Sequence, residues 1–158
     1  MPVDFSVRPV TLADAAALQR ACYPYNSLDA VRELLQRALG LSQRGRGLGV
    51  VAVRGMDHDQ EVLGYGQLTL WPRAAEISDL IVTELERNQG IGSGIIYALL
   101  DKCRLWHLNK VEIGAALTNP RALSLYRRLH FMDDRIVDLD LGNGLEPVMY
   151  LTMRLYEV

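Results

Sequence analysis

At 158 residues the chain has the length of one domain, read as 1–158, in which about 70% of the surface exposed by the unfolded form can be buried. Apolar residues make up 49% and charged residues 23%, which excludes a disordered or fibrous chain. The formal net charge of −2 lacks the strongly basic balance that phosphate-backbone recognition needs, so no nucleic-acid partner is expected.

Phe5 to Val10 reads as a strand, and Thr11-Leu12-Ala13-Asp14 resembles a capping box that opens a helix to about Cys22. Tyr23-Pro24-Tyr25-Asn26 breaks that helix. A second is expected over Leu28 to Leu39, with Val31, Leu34, Leu35 and Ala38 at helical spacing and Gly40 as its stop. After a polar loop that carries Arg44 and Arg46, Leu48 to Arg54, a turn over Gly55 to Gln60 and Val62 to Leu70 give a hairpin. Glu76 to Thr83 adds another strand after Pro72. Gly90 to about His107 is a helical pattern, Lys110 to Leu117 a strand, and Asn119-Pro120 an N-cap and first turn for a helix to about Leu129. Arg135 to Leu141 and Pro147 to Tyr156 alternate around Gly142-Asn143-Gly144 as a closing hairpin. The order is βααβββαβαββ, an α/β (α+β) domain with a mixed, mainly antiparallel sheet flanked by helices.

Cys22 and Cys103 lie far apart with no paired motif, so free thiols and a cytoplasmic setting are expected. His58, His107 and His130 are scattered without ligand spacing, and no metal is assigned. No apolar run reaches the roughly 20 residues of a membrane span, and no export signal is read at the N-terminus.

Arg87-Asn88-Gln89-Gly90-Ile91-Gly92-Ser93 stands between a strand and a helix, where unpaired amides and the helix dipole favour an anion. Gly90 and Gly92 let phosphate oxygens reach the main chain, and Arg87 adds charge-assisted bonds. A dinucleotide fingerprint fails at Ile95, and no Walker Gly-Lys-Ser/Thr is present. A pyrophosphate suits this turn, although glycines there also serve tight packing alone.

Together, Arg87-x-x-Gly90-x-Gly92 after a strand and Asn119-x-x-Ala122-x-x-x-Tyr126 on a later helix resemble the two signatures of the GNAT (GCN5-related) N-acetyltransferases. The likeness covers most of the chain, including two helices after the first strand. It departs at His130, where many members carry glycine before the phenylalanine that is Phe131 here.

The resemblance implies transfer of an acetyl group from acetyl-CoA directly to a primary amine of unidentified identity, without a metal. The backbone from Arg87 to Ser93 would hold the pyrophosphate, and Leu80, Ile81 and Val82 would pair with the pantetheine arm. The strands of Glu76–Thr83 and Lys110–Leu117 would splay to admit the thioester. Asn119 resembles a cofactor-contacting asparagine, though an N-cap serves any helix. Tyr126 resembles the tyrosine beside the thioester sulfur, though an aromatic on that apolar stripe also fits a core role. Glu76 takes the place of the catalytic glutamate of the histone-acetyltransferase branch, and a partly buried carboxylate gains basicity. Asp79 stands nearer the thioester but, by strand alternation, on the opposite face, unless a bulge resets that parity. Amides near Leu80 or Ile81 would receive the oxyanion. Arg44 and Arg46 are either a solvated loop or a contact for the adenosine phosphate. A homodimer through the Val148 to Leu155 strand is conceivable. The rival function is a non-catalytic acyl-CoA-binding regulatory module.

Overall fold

The computed structural model describes residues 4–56 and 59–156. Strand β1 (Ser6–Pro9) leads through a 3-10 turn (Leu12–Asp14) to α1 (Ala15–Cys22) and α2 (Leu28–Gln43). Then follow β2 (Gly47–Arg54), β3 (Glu61–Leu70), β4 (Ala75–Val82), a 3-10 turn (Glu84–Glu86) and α3 (Ile91–Leu105). Strand β5 (Lys110–Ala116), α4 (Pro120–Arg128), β6 (Met132–Asp140) and β7 (Leu145–Arg154) close the chain. The expected turn from Gly55 to Gln60 includes positions 57 and 58, which lie outside the described residues, as therefore does His58.

Seven strands form one sheet in the order β1-β2-β3-β4-β5-β7-β6, antiparallel except where β4 meets β5. Leu63 and Leu68 of β3 and Ile77 of β4 pack on Ile95, Ile96, Leu99 and Leu100 of α3 and on Leu123 and Tyr126 of α4. On the other face Val51, Val62 and Tyr65 meet Leu18 of α1 and Val31, Leu35 and Ala38 of α2. Each helix therefore presents one apolar stripe to one face. The helices cover opposite faces of the sheet in pairs.

Arg8 fixes the start of the chain. Its Nη1 and Nη2 donate to Asp14 Oδ2 and Oδ1 at 2.9 and 2.8 Å, while Nε donates to Gln60 Oε1 at 3.1 Å, so β1, the first turn and the foot of β3 share one clamp. Asp14 also accepts the Thr11 amide at 2.8 Å, the return half of the expected capping box.

Two sequence expectations are corrected. Helix α2 runs through Gly40 to Gln43, because the residue with the left-handed φ that ends it is Gly45 (φ 67°). Strand β7 is no edge: it pairs with β5 on one side and β6 on the other, so the Val148–Leu155 segment has no free ladder for a dimer. The edge strands are β1 and β6, and Asp133, Asp134, Asp138 and Asp140 of β6 disfavour pairing with a second copy of itself.

At the end of α4, His130 takes the glycine position of a Schellman turn: its amide donates to Arg127 O and that of Phe131 to Tyr126 O, both at 3.0 Å. His130 holds φ 74°, which costs an L-residue roughly 1–2 kcal/mol. Its side chain is exposed, so little packing is lost with it. His130→Gly is expected to stabilise the fold by about 1 kcal/mol, read as a higher urea midpoint at unchanged slope.

Candidate active site

Strands β4 and β5 run side by side only where Ala75, Glu76 and Ile77 face Val111, Glu112 and Ile113. Past Ile77 the ladder stops, and the edge of β4 facing β5 is left unpaired while β5 continues against β7. Backbone groups of Leu80 to Val82 on that edge are open to an extended ligand.

A cleft of about 550 Å³ begins there. Leu80, Ile81 and Val82 line one side; Arg87, Asn88, Gly90, Ile91, Gly92 and Ser93 form its end; Asn119, Ala122, Leu125, Tyr126 and Leu129 form the facing wall. Of the positions expected to hold a pyrophosphate, Gln89 alone does not line the cleft. Asn88 (φ 66°) and Gly90 (φ 80°) both take left-handed backbone and bend the chain onto the start of α3. The first backbone bond of that helix is Gly94 N–H to Gly90 O at 2.9 Å, so the amides of Ile91, Gly92 and Ser93 precede the ladder, as an anion cradle requires. A Cβ on Gly92 would stand 3.5 Å from Leu125 and 3.7 Å from Val82; its absence keeps the cleft open between those walls.

Asn119 keeps both readings: its Oδ1 accepts the Ala122 amide at 3.2 Å, and it lines the cleft. Tyr126 is 6% exposed, packs edge-on against Phe131 and also lines the cleft. Burial pushes its hydroxyl up to about 12, so it keeps its proton at neutral pH.

The two carboxylates on β4 differ. Glu76 lies outside the cleft and accepts the Trp71 indole N–H at 2.8 Å. Beyond it, Gln67 of β3 faces Ser78 and Tyr65 faces Ile81, so Asp79 and Leu80 together oppose Gly66. This is a bulge, and Asp79 holds φ 54° within it, a conformation aspartate tolerates better than most residues. The bulge resets the alternation. Asp79 therefore joins the α1–α2 face, where its charge acts on the Tyr23 and Tyr65 hydroxyls, rather than opposing Glu76 across the sheet. Loss of water around Asp79 raises its carboxyl above the usual range, partly offset by Arg37.

Beyond the end of β4 lies a second hollow of about 690 Å³, lined by Arg20, Cys22 and Tyr25 on one side and Gln60, Glu61 and Glu84 on the other. It shares Ile81, Val82 and Arg87 with the cleft but includes neither Tyr126 nor residues 88 to 93. Among the described residues no group of three or more His, Cys, Asp or Glu side chains is arranged to hold a metal, and no helix is long and apolar enough to cross a membrane. Sequence reasoning missed Arg121, Leu125 and Arg128 as cleft residues, although their i, i+4, i+7 spacing puts them on one side of α4.

A sequence model described as "Acetyltransferase (GNAT) family" matches residues 12–131. No curated protein matches the chain in sequence. Solved structures share its fold. An acetyltransferase from Salmonella typhimurium that modifies the N-terminal serine of a ribosomal subunit protein is 20% identical, with a TM-score of 0.81 over 96% of this chain and 95% of its own. The yncA protein of Salmonella typhimurium, with its cofactor acetyl-CoA, is 16% identical, with a TM-score of 0.73 over 98% and 96%. A variant of the spermidine N-acetyltransferase SpeG from Vibrio cholerae is 17% identical, with a TM-score of 0.74 over 95% and 93%.

Proposed function

The chain belongs to the GNAT acetyltransferase family, and from that premise we propose that it moves acetyl from acetyl-CoA to a primary amine in one direct step, with Asp79 as the base and Tyr126 as the proton donor. The observation that carries this reading is the cleft itself. It joins free helix amides, an unpaired strand edge and a buried tyrosine in one line.

The amides of Ile91 to Ser93 and the Arg87 guanidinium suit the pyrophosphate. The β4 edge from Leu80 to Val82 suits the amides of the pantetheine arm, which leads the thioester into the gap between β4 and β5. An acceptor ammonium has a pKa near ~10 and must lose a proton to free its lone pair. Asp79 lines the cleft no more than Glu76 does, but it stands exposed at the bulge next to Leu80 with its carboxyl raised, and so is suited to take it, while Glu76 accepts the Trp71 indole N–H. The amine nitrogen bonds to the thioester carbonyl carbon, an amide near Leu80 or Ile81 receives the oxyanion, the nitrogen sheds its second proton to solvent, and the carbon–sulfur bond then breaks. Tyr126 gives the departing sulfur a hydrogen bond or its proton.

Direct transfer is supported by the thiols. Burial pushes Cys22 up to about 12 and Cys103 up to about 11, so neither is a thiolate nucleophile at neutral pH. Incubation with acetyl-CoA and a panel of amino acids, polyamines, aminoglycosides and peptide N-termini should release free coenzyme A thiol with at least one acceptor class. Tight binding of acetyl-CoA with no turnover across that panel would instead identify a regulatory module.

A further inference from the structure

Within the acetyl-CoA reading, two arginines of α4 have no assigned work. Arg127 and Arg128 are neighbours with different surroundings. Arg127 Nε and Nη2 donate to Asp133 at 3.0 and 2.9 Å and tie α4 to β6. Arg128 lines the cleft instead, as does Arg121, and among the described residues neither has a carboxylate within ion-pair distance. Their i, i+7 relation puts them on one side of the helix, about 10 Å apart along its axis. Two arginine side chains can close that separation around one phosphate group.

The other charges at the cleft leave this pair in excess. Among the described residues Glu86 is the one acid on its wall, and its carboxylate is held by Arg54 at 3.0 Å. The α3 amides and Arg87 already answer the pyrophosphate. Coenzyme A carries a further dianion, the 3′-phosphate on its ribose, which an N-terminal helix cradle occupied by pyrophosphate cannot also hold. Arg44 and Arg46, the positions considered from sequence for that phosphate, do not line the cleft. We infer that Arg121 and Arg128 together seat the ribose 3′-phosphate, selecting full coenzyme A thioesters over donors that lack this group. Guanidinium forks match a phosphate better than ammonium groups do.

The test is calorimetric titration of the whole protein with acetyl-CoA and with its 3′-dephospho form, repeated on the double variant Arg121→Gln, Arg128→Gln. The unmodified protein should prefer acetyl-CoA by about 10- to 100-fold, the effect of losing charge-assisted hydrogen bonds. The double variant should bind both at the level at which the unmodified protein binds the dephospho form. Both side chains are exposed, so its melting temperature should be unchanged. Equal binding of the two donors by the unmodified protein overturns the phosphate seat while leaving the acetyl-donor reading intact, and so does a double variant that keeps the preference. Binding of neither donor by the unmodified protein removes the acetyl-donor reading and the seat with it.

Discussion

Asp79→Asn is expected to lower kcat/KM for the acceptor by about 10²- to 10⁴-fold, the range attached to losing a positioned general base. Asparagine tolerates the left-handed φ that the bulge imposes, so the backbone of β4 should persist. The pH profile supplies a second readout. Asp79 is exposed at the bulge, yet partial loss of water around its carboxyl, opposed by Arg37, raises it above its ordinary range, so it becomes a competent base only as pH rises through that elevated value. The unmodified enzyme should show an acid limb there, and the variant should retain only the rise due to ionisation of the amine itself. Stability moves the other way. A carboxyl raised on folding contributes fully below its unfolded pKa, and that contribution is lost as pH rises through the folded one; because Asp79 is exposed, solvent screening keeps the effect small, so at neutral pH the variant should melt at or slightly above the unmodified protein. Glu76→Gln is the control. Should it lose a hundredfold while Asp79→Asn loses less than threefold, the base is Glu76.

Tyr126→Phe should reduce kcat about 10²-fold while changing the KM for acetyl-CoA less than threefold. The ring keeps its edge contact with Phe131, and among the described residues nothing bonds the hydroxyl, so the fold has little to lose. With a pKa pushed up to about 12, that hydroxyl is protonated when the thiolate leaves. An unchanged kcat, with the chemical step shown to limit turnover, would confine Tyr126 to the core position its place on the apolar stripe also allows.

The two carboxylates show what strand alternation alone does not carry. Glu76 sits where the family's glutamate is expected, and plain alternation sends Asp79 to the far face. Alternation assumes one residue of β4 for each residue of β3, and Gly66 breaks that count by facing two. Nothing local to Asp79 announces this, since the extra residue is defined by a partner strand. Tyr126 has the converse history: both its proposed role and its burial follow from one helix, whose stripe was readable from spacing.

From the sequence alone came the order of elements, the glycine turn between Arg87 and Ser93 and the capped helix at Asn119, because contiguous residues encode backbone preference and periodicity. The tertiary structure alone decided that β7 lies inside the sheet and that β4 and β5 part after Ile77. It also decided that Asp79 shares a face with Tyr23 and Tyr65, and that Arg121 and Arg128 line the cleft while Arg127 is bound to Asp133. Each of these depends on which strand or helix comes to lie beside another, a relation between distant segments that local preference does not carry.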